Sequence, residues 1–313
     1  MESVVTIILE SGRTAIDIAL YTLLPIMVVM LALMKLLEEK GLLAWIANHL
    51  SPFVKVIGLP GLGLFAMLKL LFVSFSAPMA TFVVMAKNGT SLRHIAATLA
   101  MVFTMSQANV IFPMVAVGLD LPVILISSLI GGLSAAAFTY YLLAKKADWE
   151  AENIVDDGTE PSVEENRRSA VQILSEGGHE GLKLAINAIP MLILAICFVT
   201  VLRTSGAIAG IGFLVGPLLE LVDLPAIAVL PIVTKFIAGG TAFMGVTVDL
   251  MNQGQLTVVD LNRMAGFVVN PLDIVGVAVI LMAAEKLRYV AKVALLGCLF
   301  GIFVRGVIHL AWF

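Results

Sequence analysis

Two lysines lie deep inside apolar segments that are long enough to cross a membrane, and residues that weaken a helix follow each of them. A buried ammonium group is costly in hydrocarbon, so it needs a carboxylate partner, an anionic solute or a route along its stem to the membrane surface. Asp249 and Asp273 are the candidate carboxylate partners. The two lysines and the polar or glycine residues that follow them are Lys69, Ser74, Ser76, Lys235, Gly240 and Thr241.

A second pair of polar clusters lies within later apolar segments. Ser106 and Asn109 are three residues apart, so they share one face of a helix. Asn270 and Asp273 have the same spacing, and Pro271 between them leaves a backbone carbonyl that water, a side chain or a solute must satisfy. Hydrogen bonding between helices is the alternative for each residue alone. Because the clusters occur in both halves, we predict that they bind a solute together with the lysines and the residues that follow them.

The chain shows none of the arrangements that other classes of protein use. We find no nucleophile beside a base, no phosphate-binding loop, no cysteine and histidine set with metal spacing and no basic patch for nucleic acid. The sequence therefore predicts a protein that is not an enzyme and has no metal, cofactor or nucleic-acid partner. Coupling to H⁺ or Na⁺ stays open. The four histidines are expected near segment ends or in loops; they are His49, His94, His179 and His309.

The composition is that of a polytopic membrane protein. Of 313 residues 60% are hydrophobic and 13% are charged, whereas soluble domains contain about 25% charged residues. A spanning helix needs about 20 apolar residues, and we predict an all-α fold of about ten such segments. Segment 42–57 is short and could instead lie in the membrane interface. The ten segments are 15–34, 42–57, 61–86, 95–118, 121–143, 184–202, 207–222, 226–251, 264–284 and 289–312.

The two halves of the chain look like copies. A shift of 165 residues superposes three prolines and one glycine, and a shift of 164 places Ser106 on Asn270 and Asn109 on Asp273. We therefore predict repeats at 1–144 and 182–313, joined by an acidic linker at 145–181. Within the linker we predict a short helix that a capping box at 162–165 opens and Gly177-Gly178 end. The superposed pairs are Pro25 with Pro190, Gly41 with Gly206, Pro52 with Pro217 and Pro60 with Pro225.

The distribution of basic residues predicts the orientation. With both termini outside and the linker cytoplasmic, twelve basic residues face the cytoplasm and five the outer face, in agreement with the positive-inside rule. Five spans in each half make the repeats inverted, whereas four would make them parallel. The five outer basic residues are Arg13, Lys55, Arg203, Arg263 and Arg305.

A duplicated unit with a Leu-Pro entry to a broken helix, a polar cluster, Asn-Gly, and then Ser/Asn-x-x-Asn/Asp resembles the nucleoside-recognition, or Gate, domain family. That family includes the spore maturation A and B proteins and gate segments of nucleoside and ferrous-iron transporters. The resemblance implies an inner-membrane secondary transporter. It would bind a small polar, possibly anionic or nucleoside-like, solute at the midplane between two inverted repeats. The alternative is a non-transporting scaffold in an envelope complex. The lipid bilayer is the expected surroundings, and a homo-oligomer is possible.

Overall fold

The computed structural model describes residues 4–146, 169–206, 217 and 219–313, and every regular element within these ranges is a helix. Six described helices are long and apolar enough to cross a membrane, which confirms an all-α polytopic membrane protein but not the count of ten spans. The six are Val4–Glu39, Leu92–Val115, Leu121–Leu143, Ala170–Thr204, Ala226–Asn252 and Glu285–Trp312.

The helices of the first half follow a simple order: a long helix, a short helix, a hairpin, an interrupted helix and a second long helix. Helix α1 contains a π-helical turn, and the chain is non-helical at 105–107 between α5 and α6. The bounds are α1 Val4–Glu39, α2 Leu42–Lys55, α3 Gly61–Phe72, α4 Ala77–Lys87, α5 Leu92–Thr104, α6 Ala108–Val115 and α7 Leu121–Leu143.

The described helices of the second half are a long helix, a broken helix, an interrupted helix and a second long helix. Helix α9 contains a break at Gly239, and the chain is interrupted again at 269–273 between α10 and α11. The bounds are α8 Ala170–Thr204, α9 Val229–Asn252, α10 Val258–Val268, α11 Ile274–Leu281 and α12 Glu285–Trp312. The exact limits of the two repeats stay a prediction.

Four predicted spans differ from the structure, and one of them is segment 95–118, which is divided between α5 and α6. Helix α2 has 14 residues, or about 21 Å at 1.5 Å per residue, which is too short for a hydrocarbon core of about 30 Å. It buries Leu43 and Ala47 and exposes Trp45, as expected of the interfacial alternative. Segment 61–86 is a hairpin, since α3 and α4 pack against each other. Segment 264–284 is divided between α10 and α11. Most of 207–222 lies outside the described residues.

Helix α8 passes straight through Gly177 and Gly178, so the prediction that a helix ends there is wrong. A Cβ atom on Gly177 would lie 2.7 Å from the Leu31 carbonyl oxygen, and one on Gly181 would lie 2.5 Å from that of Met27. These glycines let the backbones of α1 and α8 approach closely, and this packing outweighs the low helix propensity of glycine.

The start of α8 also differs from the prediction, because the helix begins at Ala170. The predicted capping box at 162–165 lies outside the described residues. The capping box that is present joins Ser169 and Gln172: the Ser169 hydroxyl accepts from the Gln172 amide, and the Gln172 side chain accepts from the Ser169 amide. Helix α8 therefore starts inside the predicted linker.

Helices α7 and α12 pack through glycines. A Cβ atom on Gly301 would lie 2.6 Å from the Gly131 carbonyl oxygen, and one on Gly131 would lie 2.8 Å from that of Gly301. Only a glycine pair allows so close a contact between two helices. Helix α12 also packs along α5 and α10, so its side chains reach the interruptions in both halves of the chain.

Candidate solute site

The break in α9 lies against the interruption in the first half. Gly239 has φ 86° and ψ 179°, a conformation that glycine adopts at little cost. A Cβ atom on Gly240 would lie 2.5 Å from Gln107 Nε2 and 2.8 Å from Val110 Cγ2. A Cβ atom on Gly239 would lie 3.6 Å from Asp273 Oδ1. Residues from three interrupted helices therefore meet at one place.

Lys235 is completely buried beside this break. Its ammonium group donates to Asn270 Oδ1 at 2.9 Å and to the Leu272 carbonyl, and it lies 3.7 Å from Asp273 Oδ2. Of the two candidate carboxylates, Asp273 is the one that pairs with Lys235. The other candidate partner, Asp249, lies near the far end of α9 beside Gln253. The ammonium group of Lys235 therefore makes two hydrogen bonds and one ion pair within the chain, and its binding of an anionic solute stays a prediction.

Asp273 and Asn270 are also satisfied within the chain. Asp273 caps helix α11, since its Oδ1 accepts from the Gly276 amide at 2.7 Å. Asn270 Nδ2 donates to the Phe267 carbonyl at 2.8 Å, and its Oδ1 accepts from the Leu272 amide at 3.1 Å. These two side chains hold the interruption of the second half in shape.

Two amide side chains at the interruption of the first half, by contrast, have oxygens without a hydrogen-bond partner. Gln107 Oε1 and Asn109 Oδ1 are buried, and neither accepts a hydrogen bond. An unsatisfied buried acceptor costs about 1–3 kcal/mol, so both are suited to a solute that offers N–H or O–H groups. Gln107 precedes α6 without a side-chain cap. Asn109 was among the predicted site residues, whereas Gln107 was not.

Ser106 has no capacity left for a solute. Its hydroxyl donates to the Val269 carbonyl at 2.8 Å and accepts from Ser128 Oγ at 2.8 Å and from Arg305 Nη2 at 2.5 Å. A hydroxyl offers one donor and two acceptor positions, and all three are in use. The predicted contact between Ser106 and the solute is therefore not supported, and this residue instead joins the two halves.

The comparisons with known proteins agree with this architecture. No family model matches the chain. Spore maturation protein B of Bacillus subtilis (strain 168) is 38% identical over 76 residues, which are 24% of this chain and 42% of that protein. The matched region thus spans less than half of this relative. CNTnw in an inward-facing substrate-bound state has a TM-score of 0.65 and 18% identity, over 92% of this chain and 74% of CNTnw.

A CNTnw variant in an outward-facing state gives a TM-score of 0.68 and 17% identity, over 98% of this chain and 82% of that one. The chain has the CNTnw fold. CNTnw is a concentrative nucleoside transporter, and this likeness concerns the fold. These similarities confirm the resemblance to the nucleoside-recognition membrane proteins that the sequence predicted.

Two residues of α12 are buried in this CNTnw-like fold, and the sequence did not predict their burial. Arg305, predicted near the outer face, is completely buried, and so is His309, which lies in the last turn of α12 as predicted. His309 Nε2 lies 2.8 Å from Ser127 Oγ, and its Nδ1 lies 2.6 Å from the Asn262 carbonyl oxygen. The available signal was their spacing, since residues four apart share a helix face.

The remaining predicted residues belong to other parts of the CNTnw-like fold. Ser74 and Ser76 lie at the turn between α3 and α4, with their hydroxyls 3.3 Å apart. Ser76 lines a cavity of about 670 Å³ with residues of α1 and α8. Lys69 is half-buried one turn before this hairpin turn, and Thr241 is half-buried after the break in α9. Their contact with the solute stays a prediction.

Proposed function

We propose that the chain is an inner-membrane secondary transporter of a small, neutral, nucleoside-like solute. The observation that carries the proposal is the pair of buried acceptors, Gln107 Oε1 and Asn109 Oδ1, beside the glycine break of α9. A nucleoside offers ribose hydroxyls and base amines, which are the donors that these oxygens lack. The structural similarity to a nucleoside transporter supports this assignment.

The charges around the break favour a neutral solute over an anion. Lys235 lies within 3.7 Å of Asp273, so the two charges offset each other before any solute binds. The unsatisfied atoms of Gln107 and Asn109 are both oxygens, which attract donors and repel carboxylate or phosphate groups. A discontinuous helix lined by such groups near the middle of the membrane is typical of the binding sites of secondary transporters.

The helix lengths support an inverted relation between the halves. In the first half α1 crosses the membrane, α2 is too short to cross, and the α3–α4 hairpin returns the chain to the same side. The interrupted unit 92–115 and α7 each cross once. Three crossings are an odd number, so the second half enters the membrane with the opposite orientation.

This topology strengthens the charge asymmetry. With the N-terminus outside, Lys55 moves to the cytoplasmic side and Arg305 into the membrane. Among the basic residues of the described ranges, eleven then face the cytoplasm and three the outside. The three outer ones are Arg13, Arg203 and Arg263. We infer that both termini lie outside and that the segment between α7 and α8 is cytoplasmic.

Uptake by the purified protein in liposomes tests the proposal. The panel contains nucleosides, nucleobases and small carboxylates, with a Na⁺ or H⁺ gradient imposed in turn. We expect uptake of a nucleoside and a loss of about tenfold or more in Gln107→Ala, because one donor group of the bound solute would lose its acceptor. Gln253→Ala is the matched control, since Gln253 is exposed and bonds Arg203. Equal loss in both variants would contradict the proposed site.

A scaffold in an envelope complex is the second candidate, and the similarity to spore maturation protein B favours it. Two variants in the native host separate the candidates. If transport is the function, Gln107→Ala should fail to replace the wild-type gene in the host, whereas a variant lacking residues 148–166 should still replace it. The reverse result, in which only the deletion variant fails to replace the gene, would establish the scaffold.

A further inference from the structure

Arg305 is a fully charged group buried in the middle of the described helices without a carboxylate partner. Its side chain is 0% exposed. Among the described residues no acidic side chain forms an ion pair with it. A lone buried charge is costly, so the surrounding structure must offset it in another way.

The offsetting groups are the ends of two half-helices, one from each half of the chain. Nη1 of Arg305 donates to the carbonyl of Thr104, the last residue of α5, and to that of Val269 at 3.1 Å, just after α10. The C-terminal end of a helix carries about half a negative charge. Two such ends together balance about one positive charge.

The rest of the pocket is shaped for this guanidinium. A Cβ atom on Gly131 would overlap the Arg305 stem, so glycine is needed for the side chain to pass between α7 and α12. Nη2 donates to Ser106 Oγ, which in turn donates to the Val269 carbonyl at 2.8 Å. The pocket therefore offers two carbonyl oxygens and one hydroxyl oxygen to whatever cation lies there.

We propose that Arg305 is a tethered cation filling a cation site that the two interrupted helices form between them. Hard oxygen ligands of this kind are those that small cations use in proteins, and broken helices in transporters commonly present them to free ions. Here the chain supplies the positive charge itself. Removal of the guanidinium therefore leaves a site for a free monovalent cation.

Cation-dependent melting of Arg305→Ala tests this inference, and the test needs no solute. We expect the melting temperature of this variant in detergent to fall by about 10 °C, because the buried oxygens that surround the guanidinium lose their charged partner. Low millimolar guanidinium or Na⁺ should then recover a substantial part of that loss by binding the folded state. N-methylglucamine chloride at equal ionic strength should not, and the wild-type protein should respond to none of the three.

Arg263→Ala is the matched control, because Arg263 also donates to main-chain carbonyls, of Asp223 and Phe313, but at the surface. An equal response of both alanine variants to the cations would overturn the inference, as would no response of Arg305→Ala. If Arg305→Ala does not fold, Arg305→Lys and Arg305→Met take its place. The lysine variant should melt well above the methionine variant, and equal melting temperatures would overturn the inference.

Discussion

The interruptions at 105–107 and 269–273 occupy equivalent places in the two halves, yet their polar side chains differ in whether they have partners within the chain. At 269–273 the side chains bond one another: Lys235 pairs with Asp273 and Asn270, and Asp273 caps α11. At 105–107 the oxygens of Gln107 and Asn109 are buried without a donor. One copy thus forms a rigid wall, and we propose that the two free oxygens of the other bind the solute.

The largest expected effect is on the rigid wall. Asp273→Asn removes one partner of a buried pair and should reduce the free energy of unfolding by about 3–5 kcal/mol, because Lys235 is left uncompensated. The double variant Lys235→Met/Asp273→Asn should recover part of that loss. Chemical or thermal unfolding in detergent measures both. The single variant Lys235→Met completes the cycle. If the loss of stability in the double variant equals the sum of the losses in the two single variants, the pair is not coupled and the contrast between the two interruptions fails.

Two asparagines at the interruptions allow a smaller and sharper comparison. Asn270→Ala should lower the free energy of unfolding by about 1–3 kcal/mol, because Lys235 and two backbone groups would lose their partner. Asn109→Ala removes an oxygen that has no partner, so it should change stability by less than about 0.5 kcal/mol while weakening solute binding. Comparable destabilisation by the two variants would contradict the contrast between the copies.

The glycine break offers the smallest effects. Gly240→Ala places a Cβ atom 2.5 Å from Gln107 Nε2, so it should displace that side chain, cost about 1–2 kcal/mol of stability and weaken solute binding. Gly254→Ala is the control, since Gly254 has φ 68° and nothing within 4 Å of its Cβ position. It should cost about 1 kcal/mol through backbone strain alone and leave solute binding unchanged. A loss of binding in the control would contradict this assignment.

Much of this architecture could be predicted from the sequence. Apolar segments, matched prolines and charges inside apolar segments indicated a membrane protein with interrupted helices. The cost of a lone charge indicated a carboxylate partner for the buried lysines, and the structure shows that Asp273 pairs with Lys235. Hydropathy could not show that segment 61–86 turns back as a hairpin, because both arrangements need the same apolar surface. It also could not show that Gly177 packs against α1 rather than ending a helix.

The site was harder to predict because backbone groups form much of it. Arg305 lies eight residues before the end of the chain, which suggested the outer face, and its partners are the carbonyls of Thr104 and Val269. Carbonyl groups have no signature in a sequence. Ser106 was identified as polar and central, but only the structure shows that other groups already use its hydroxyl.

The most direct measurement of the central claim is the thermal shift of the purified protein with a panel of nucleosides, repeated on Gln107→Ala and Asn109→Ala. A ligand of the folded state raises the melting temperature by mass action. We predict that at least one nucleoside raises the melting temperature of the wild-type protein, and that both variants lose that shift while melting normally without ligand. A nucleoside shift of the same size in the wild-type protein and both variants would contradict the account.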